Sequence, residues 1–181
     1  GYDTTSASCL SHLGERGYSI YLEIFGGGFG AGPHNDGCDA VDSPLSNCAN
    51  IPIEAMDMTY DFFRVVDYSL VPDSGGRGRH RGGLGFQRIY EILKDDVTFA
   101  TYADRFVQAP QGLFGGEPGR CAQTFVERGN ERIALSSKQS FQLRKGDRLV
   151  MRTGGGAGYG PPGERSAALL ERDHLDALMT R

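Results

Sequence analysis

Three arginines, Arg77, Arg79 and Arg81, are separated by Gly78 and His80 inside a fifteen-residue stretch, 71–85, that holds six glycines. A planar guanidinium pairs bidentately with phosphate or carboxylate, so this spacing suits holding an anion or bracing acidic segments of the fold. Asp73 opens the stretch and can accept hydrogen bonds from the amides that follow it, as an Asx turn does. Asp73, Arg77, Arg79 and Arg81 are therefore the candidate binding residues. Bracing of acidic loops such as 33–42 is the favoured reading of the arginines. Two other acids, Asp36 and Glu54, are the candidates for catalysis. His34 and Asp39 lie near Asp36 and could share a metal with it. A loop of Asp, Asn and Gly more often satisfies its own backbone, so no metal site is assigned.

The elements that must position these residues are short strands. Residues 64–70 before the arginine stretch are rich in β-formers, and 86–93 after it alternate in period two. Further strands are expected at 18–25, 97–103, 121–127, 131–135, 139–143 and 148–153, with Arg144-Lys145-Gly146-Asp147 as a hairpin turn. A short helix is expected within 51–63, and Ala167, Leu170, His174 and Leu178 fit an amphipathic helix over 164–179. Residues 33–50 read as loop. The expected fold class is α+β and β-rich, its antiparallel strands forming a sandwich or barrel-like unit with Gly-rich loops and a C-terminal helix. The chain divides into an acidic Gly/Asp-rich segment (1–64), a β-rich domain (65–163) and the C-terminal helix (164–181).

Composition narrows the function. Residues 1–73 carry two Arg, no Lys and eleven acids, a balance of −9, whereas 74–181 carry seventeen bases and twelve acids, a balance of +5. The whole chain is acidic, and its Arg-Gly segment occurs once between strands, which argues against a nucleic-acid partner. No apolar run is long enough to span a membrane, and no signal-peptide pattern opens the chain. The four cysteines form no C-x-x-C pair and fit reduced thiols in the cytoplasm. Gly26-Gly27-Gly28-Phe29-Gly30-Ala31 has the outline of a dinucleotide-binding turn, but Pro33 and the absence of helical periodicity behind it deny the helix N-terminus such a turn needs. No Walker-type phosphate loop is present either.

Four pieces stand in fixed order: Gly26 to Ala31 with Asp36-Gly37; Asn50-Ile51-Pro52-Ile53-Glu54; Asp73-Ser74-Gly75-Gly76 through Arg81-Gly82-Gly83-Leu84-Gly85; and Thr153 to Gly160. Together they resemble the C-terminal part of the hydantoinase B / 5-oxoprolinase family, which includes the large subunits of acetone- and acetophenone-type carboxylases. The resemblance implies an ATP-dependent hydrolase of cyclic amides working with a hydantoinase A-type partner, which would phosphorylate the substrate. It also implies a hetero-oligomer in which ATP and a divalent metal serve the full complex, with no cofactor bound by this chain. The metal-bearing part would lie upstream of Gly1, so the chain is expected to be a fragment of a longer subunit and inactive alone. A ketone carboxylase subunit and a non-catalytic assembly domain are the alternatives.

Overall fold

Alternation decides which side of each strand meets the core. In β4 (Phe86–Ile92) the residues Phe86, Arg88, Tyr90 and Ile92 are buried, and those between them are partly exposed. The same period of two sets β5 (Val97–Tyr102), where Val97, Phe99 and Thr101 point inward. The structure, a computed structural model, describes residues 5–15, 17–42 and 52–180. Its other strands are β1 (Ser6–Gly14), β2 (Gly17–Phe25), β3 (Phe63–Leu70), β6 (Gln123–Arg128), β7 (Glu131–Leu135), β8 (Lys138–Leu143) and β9 (Arg148–Arg152). Two α-helices, α1 (Ile53–Thr59) and α2 (Ala167–Leu175), and a 3-10 turn at Pro162–Glu164 complete the elements of the described residues.

The strands form two antiparallel sheets that do not close into a barrel. One has the order β2-β1-β5-β8 and the other β3-β4-β9-β6-β7. Their inner faces share one apolar cluster, in which Tyr21, Phe25 and Phe99 of the first sheet meet Phe63, Phe86 and Tyr90 of the second. The α+β, β-rich sandwich is thus realised. Expected strand boundaries differ from the observed ones by a residue or two. The loop expected over 43–50, like Asn50-Ile51, lies outside the described residues.

One strand was not anticipated. β1 presents Ser6, Ser8 and Leu10 inward and pairs with both β2 and β5. Buried serines stand here where other strands carry large side chains, so the strand lacks the large apolar alternation that announces the others. The face of β2 bearing Tyr18, Ile20, Leu22 and Ile24 points away from the core; Tyr21, Glu23 and Phe25 face inward.

A polar group sits within the sandwich. Glu23 accepts hydrogen bonds from the hydroxyls of Tyr21 (2.7 Å) and Tyr90 (2.8 Å) and is paired with Arg88. The Arg88 guanidinium also stacks over Tyr68 at 4.2 Å. Burial, with the Glu23 charge beside them, pushes both tyrosine hydroxyls above their ordinary range. With its partners supplied from both sheets, this carboxylate is tolerable in the core because its acceptors are filled.

Candidate functional site

The glycine-rich segments lie side by side at one end of the sandwich, bonded backbone to backbone. The Gly28 amide donates to Gly154, Gly83 to Phe29, Gly156 to Gly83 and Gly76 to Gly156, at 2.8 to 2.9 Å. The approach is so close that a Cβ on Gly83 would collide with the Cys38 carbonyl, and one on Gly156 with the Phe29 carbonyl. That proximity, more than turn geometry, is what glycine provides here. It also consumes the amides. The dinucleotide-like turn at 26–31 opens no helix, and Phe29 and Ala31 give their amides to Cys38 and Ala157. A phosphate cradle needs such donors to be free.

On this layer rests an alternating chain of charge. Arg81 holds both oxygens of Asp39, at 2.7 and 3.1 Å, and its Nε reaches Asp173 at 3.2 Å. Arg165 holds both oxygens of Asp36, at 2.7 and 2.8 Å, and its Nε reaches Asp173 at 2.9 Å. Asp173, Arg81 and Arg165 are 1, 5 and 8 % exposed. The sequence Asp39–Arg81–Asp173–Arg165–Asp36 joins loop 33–42, the arginine stretch and α2. Each buried guanidinium meets two carboxylates, the condition under which such ions are tolerated. Burial alone would raise the Asp36 carboxyl, but hydrogen bonds and charge from Arg165 and Arg81 hold it below the usual carboxylate range. A carboxylate held so firmly ionised is a weak proton acceptor at neutral pH.

The remaining candidates fall elsewhere. Asp73 does not make the expected Asx turn: its carboxylate accepts from the amide and hydroxyl of Thr180, both at 2.8 Å, and its amide donates to Leu178. Ser74 takes the local role, accepting from the Gly85 amide and donating to Val71. Arg79 pairs with Glu164 at 3.6 Å and stacks against Tyr159. Arg77 is exposed, forms no ion pair to a described carboxylate, and borders a cavity of about 180 Å³ with Arg81, Arg165, Asp173 and His174. Glu54 stands exposed in the first turn of α1, apart from this cavity.

His34 is exposed, whereas Asp36 and Asp39 are engaged by arginines. Among the described residues no group of three His, Cys, Asp or Glu side chains could hold a metal ion. The donor set thus does not fit a metal centre. What the arrangement offers is a braced layer that leaves the Arg77 guanidinium exposed beside the cavity.

Sequence reasoning missed Arg165 and Asp173. Ala167, Leu170, His174 and Leu178 were expected to give the helix an amphipathic face, yet Ala167 is exposed, Leu170 is 43 % exposed and the buried member of α2 is Asp173. Nothing in the helix sequence set Asp173 apart: α2 carries two acids, Glu171 and Asp173, and only the second is buried. Ser166 caps the helix, and Ala177 at φ 53° ends it before Leu178.

The sequence profile of the Hydantoinase B/oxoprolinase family matches residues 1–162, and the chain belongs to that family. Among its relatives, an uncharacterized protein of Methanocaldococcus jannaschii is 40 % identical over 91 % of the chain. The 5-oxoprolinase of Dictyostelium discoideum is 32 % identical over 88 %, and the putative D-/L-hydantoinase B-type chain of a Pseudomonas species is 30 % identical over 100 %. The chain spans 29, 13 and 31 % of the lengths of these three. Nucleotide-free acetone carboxylase has the same fold over 100 % of this chain and 29 % of its own, with a TM-score of 0.81 at 16 % identity. The ATP-dependent caprolactamase of Pseudomonas jessenii matches 99 % of this chain and 34 % of its own, with a TM-score of 0.71 at 20 % identity.

Proposed function

We propose that this chain serves in the B-type subunit of a cytoplasmic, ATP-dependent hydantoinase/5-oxoprolinase-like enzyme that hydrolyses the C–N bond of a cyclic amide. An A-type partner phosphorylates the amide oxygen first. An amide carbonyl resists attack because nitrogen feeds electrons into it. Transfer of the ATP γ-phosphoryl group to its oxygen ends that donation and leaves the carbon electrophilic; water adds there, the C–N bond of the adduct breaks as the ring nitrogen takes a proton, and the acyl phosphate left behind is hydrolysed to carboxylate and phosphate. The single observation that carries the reading is the family match across residues 1–162.

Within that reaction the chain acts by positioning. Its buried arginines are committed to Asp36, Asp39 and Asp173. The rigid glycine layer presents Arg77 beside the cavity, where its guanidinium can hold a phosphate or carboxylate. We assign Asp36, paired with Arg165, a bracing role, and give Glu54 no role in this cavity. The free thiols of Cys9, Cys38 and Cys121 fit a reducing compartment.

The test splices residues 1–181 into the Pseudomonas protein in place of its matched segment and assays the product with an A-type subunit. Ring-opened product and ADP formed together from hydantoin or 5-oxoproline support the reading. ATP-dependent carboxylation of acetone with bicarbonate, without amide hydrolysis, would move the chain to the ketone carboxylases, whose fold it shares.

A further inference from the structure

The outward face of the four-stranded sheet is apolar where a domain surface is ordinarily polar. Tyr18, Ile20, Leu22 and Ile24 alternate along β2 and are 64, 51, 63 and 46 % exposed. The register extends the band. Leu13 lies opposite Tyr18, Cys9 opposite Leu22, and Ala7 between Ile24 and Tyr102 of β5. Leu13 and Tyr102 are themselves 73 and 60 % exposed. One exposed leucine is ordinary, but six large apolar side chains on one continuous face form an interaction surface. β2 also buries Tyr21 and Phe25 on its other side, and apolar residues on both faces mark a strand that is covered twice.

The two edges of this sheet are treated differently. β8, at one edge, turns Lys138, Ser140 and Gln142 outward, with Lys138 paired to Asp104 at 3.2 Å. Lysine and polar side chains are how an edge avoids unwanted pairing. The outward residues of β2, at the other edge, carry no charge.

We propose that this face seats the remainder of a hydantoinase B-type polypeptide, which lays an apolar surface of its own across β1 and β2. The choice of occupant follows from length. The archaeal and Pseudomonas relatives contain this unit as 29 and 31 % of their chains. A tethered segment meets the face at an effective concentration on the order of millimolar, ahead of any second copy or separate subunit. The inference rests on family membership and not on the reaction catalysed.

Cys9 is a built-in reporter, partly exposed at the centre of the band, and the exposed Cys38 lies outside it as an internal control. N-ethylmaleimide labelling of both thiols is timed by mass spectrometry in two samples. One is the 181-residue chain alone, at several concentrations. The other is the chain mixed with the Methanocaldococcus relative lacking its matched segment. The expected result is Cys9 labelling slowed at least roughly tenfold where the remainder is tethered, in the chain spliced into that relative, and slowed in the mixture as the remainder is titrated in, with Cys38 unchanged. Leu22→Lys should restore the free rate without moving the melting temperature. The same labelling in the chain spliced into that relative keeps the test decisive if the separated remainder does not fold. Cys9 protection that grows with concentration of the chain alone would overturn the proposal in favour of a second copy. Free-chain labelling in both the mixture and the splice would overturn it outright. Labelling does not require turnover, so an error in the assigned reaction would leave this result standing.

Discussion

Asp173→Asn should destabilise the chain by about 3 kcal/mol, more than removal of any apolar side chain on α2. The carboxylate is 1 % exposed and accepts from Arg81 Nε at 3.2 Å, Arg165 Nε at 2.9 Å and Arg165 Nη2 at 2.8 Å. Asparagine keeps one acceptor oxygen but turns an amide donor against a guanidinium. It therefore removes one or two charge-assisted bonds of about 1.5–3 kcal/mol each. Stripping a buried ion of its partner outright costs about 3–5 kcal/mol, but Arg81 and Arg165 keep Asp39 and Asp36, which places the loss toward the lower end. For a chain of this size that corresponds to a fall in melting temperature of about 6–12 °C. The assay is thermal unfolding by circular dichroism at neutral pH, with Leu170→Ala as the comparison. Leu170 is 43 % exposed, and its truncation should cost less than about 1 kcal/mol. An Asp173→Asn shift under about 2 °C, or a larger shift for Leu170→Ala, would refute the view that charge and not apolar contact docks this helix.

Gly83→Ala places a methyl group against the Cys38 carbonyl and should either prevent folding or cost on the order of 3 kcal/mol, as read by urea unfolding. Lowering the pH should destabilise the chain through Asp36 and Asp147, whose folded carboxyls titrate below their unfolded values. The sign follows from that depression: their contribution is complete above the ordinary carboxylate pKa and is lost as pH falls through the lower folded values. Unfolding midpoints should hold steady from pH 7 to about 5 and drop below about 4. Arg77→Ala should leave the melting temperature within about 1–2 °C, because its side chain is exposed at the rim of the cavity. In the spliced enzyme the same substitution should raise the KM for the anionic substrate, while an unchanged KM would remove Arg77 from the site.

Much of the fold was legible because its strands obey period two with large side chains, as Phe86, Tyr90 and Ile92 do in β4. β1 escaped because Ser6, Ser8 and Ser11 are buried as small polar groups and break the apolar rhythm. Glycine density announced constraint correctly. That the constraint is close packing between four separate segments depends on contacts far apart in sequence, such as Gly83 against Cys38. The bracing role of Arg81 was readable from the acidity of loop 33–42, and Asp39 fulfils it. Asp173 was not readable, since acids on an amphipathic helix are ordinarily solvated, as the neighbouring Glu171 is, and its two partners, Arg81 and Arg165, come from different parts of the chain.

We propose that this unit serves within an ATP-dependent hydrolase and does not perform the reaction by itself. The most direct test of that proposal incubates the purified 181-residue chain with ATP, a divalent metal and either hydantoin or 5-oxoproline, and measures ADP and ring-opened product together. The account predicts neither product above the protein-free control, and both from the spliced protein with its A-type partner. Turnover by the isolated chain would contradict it and would return His34, Asp36 and Asp39 to consideration as metal ligands.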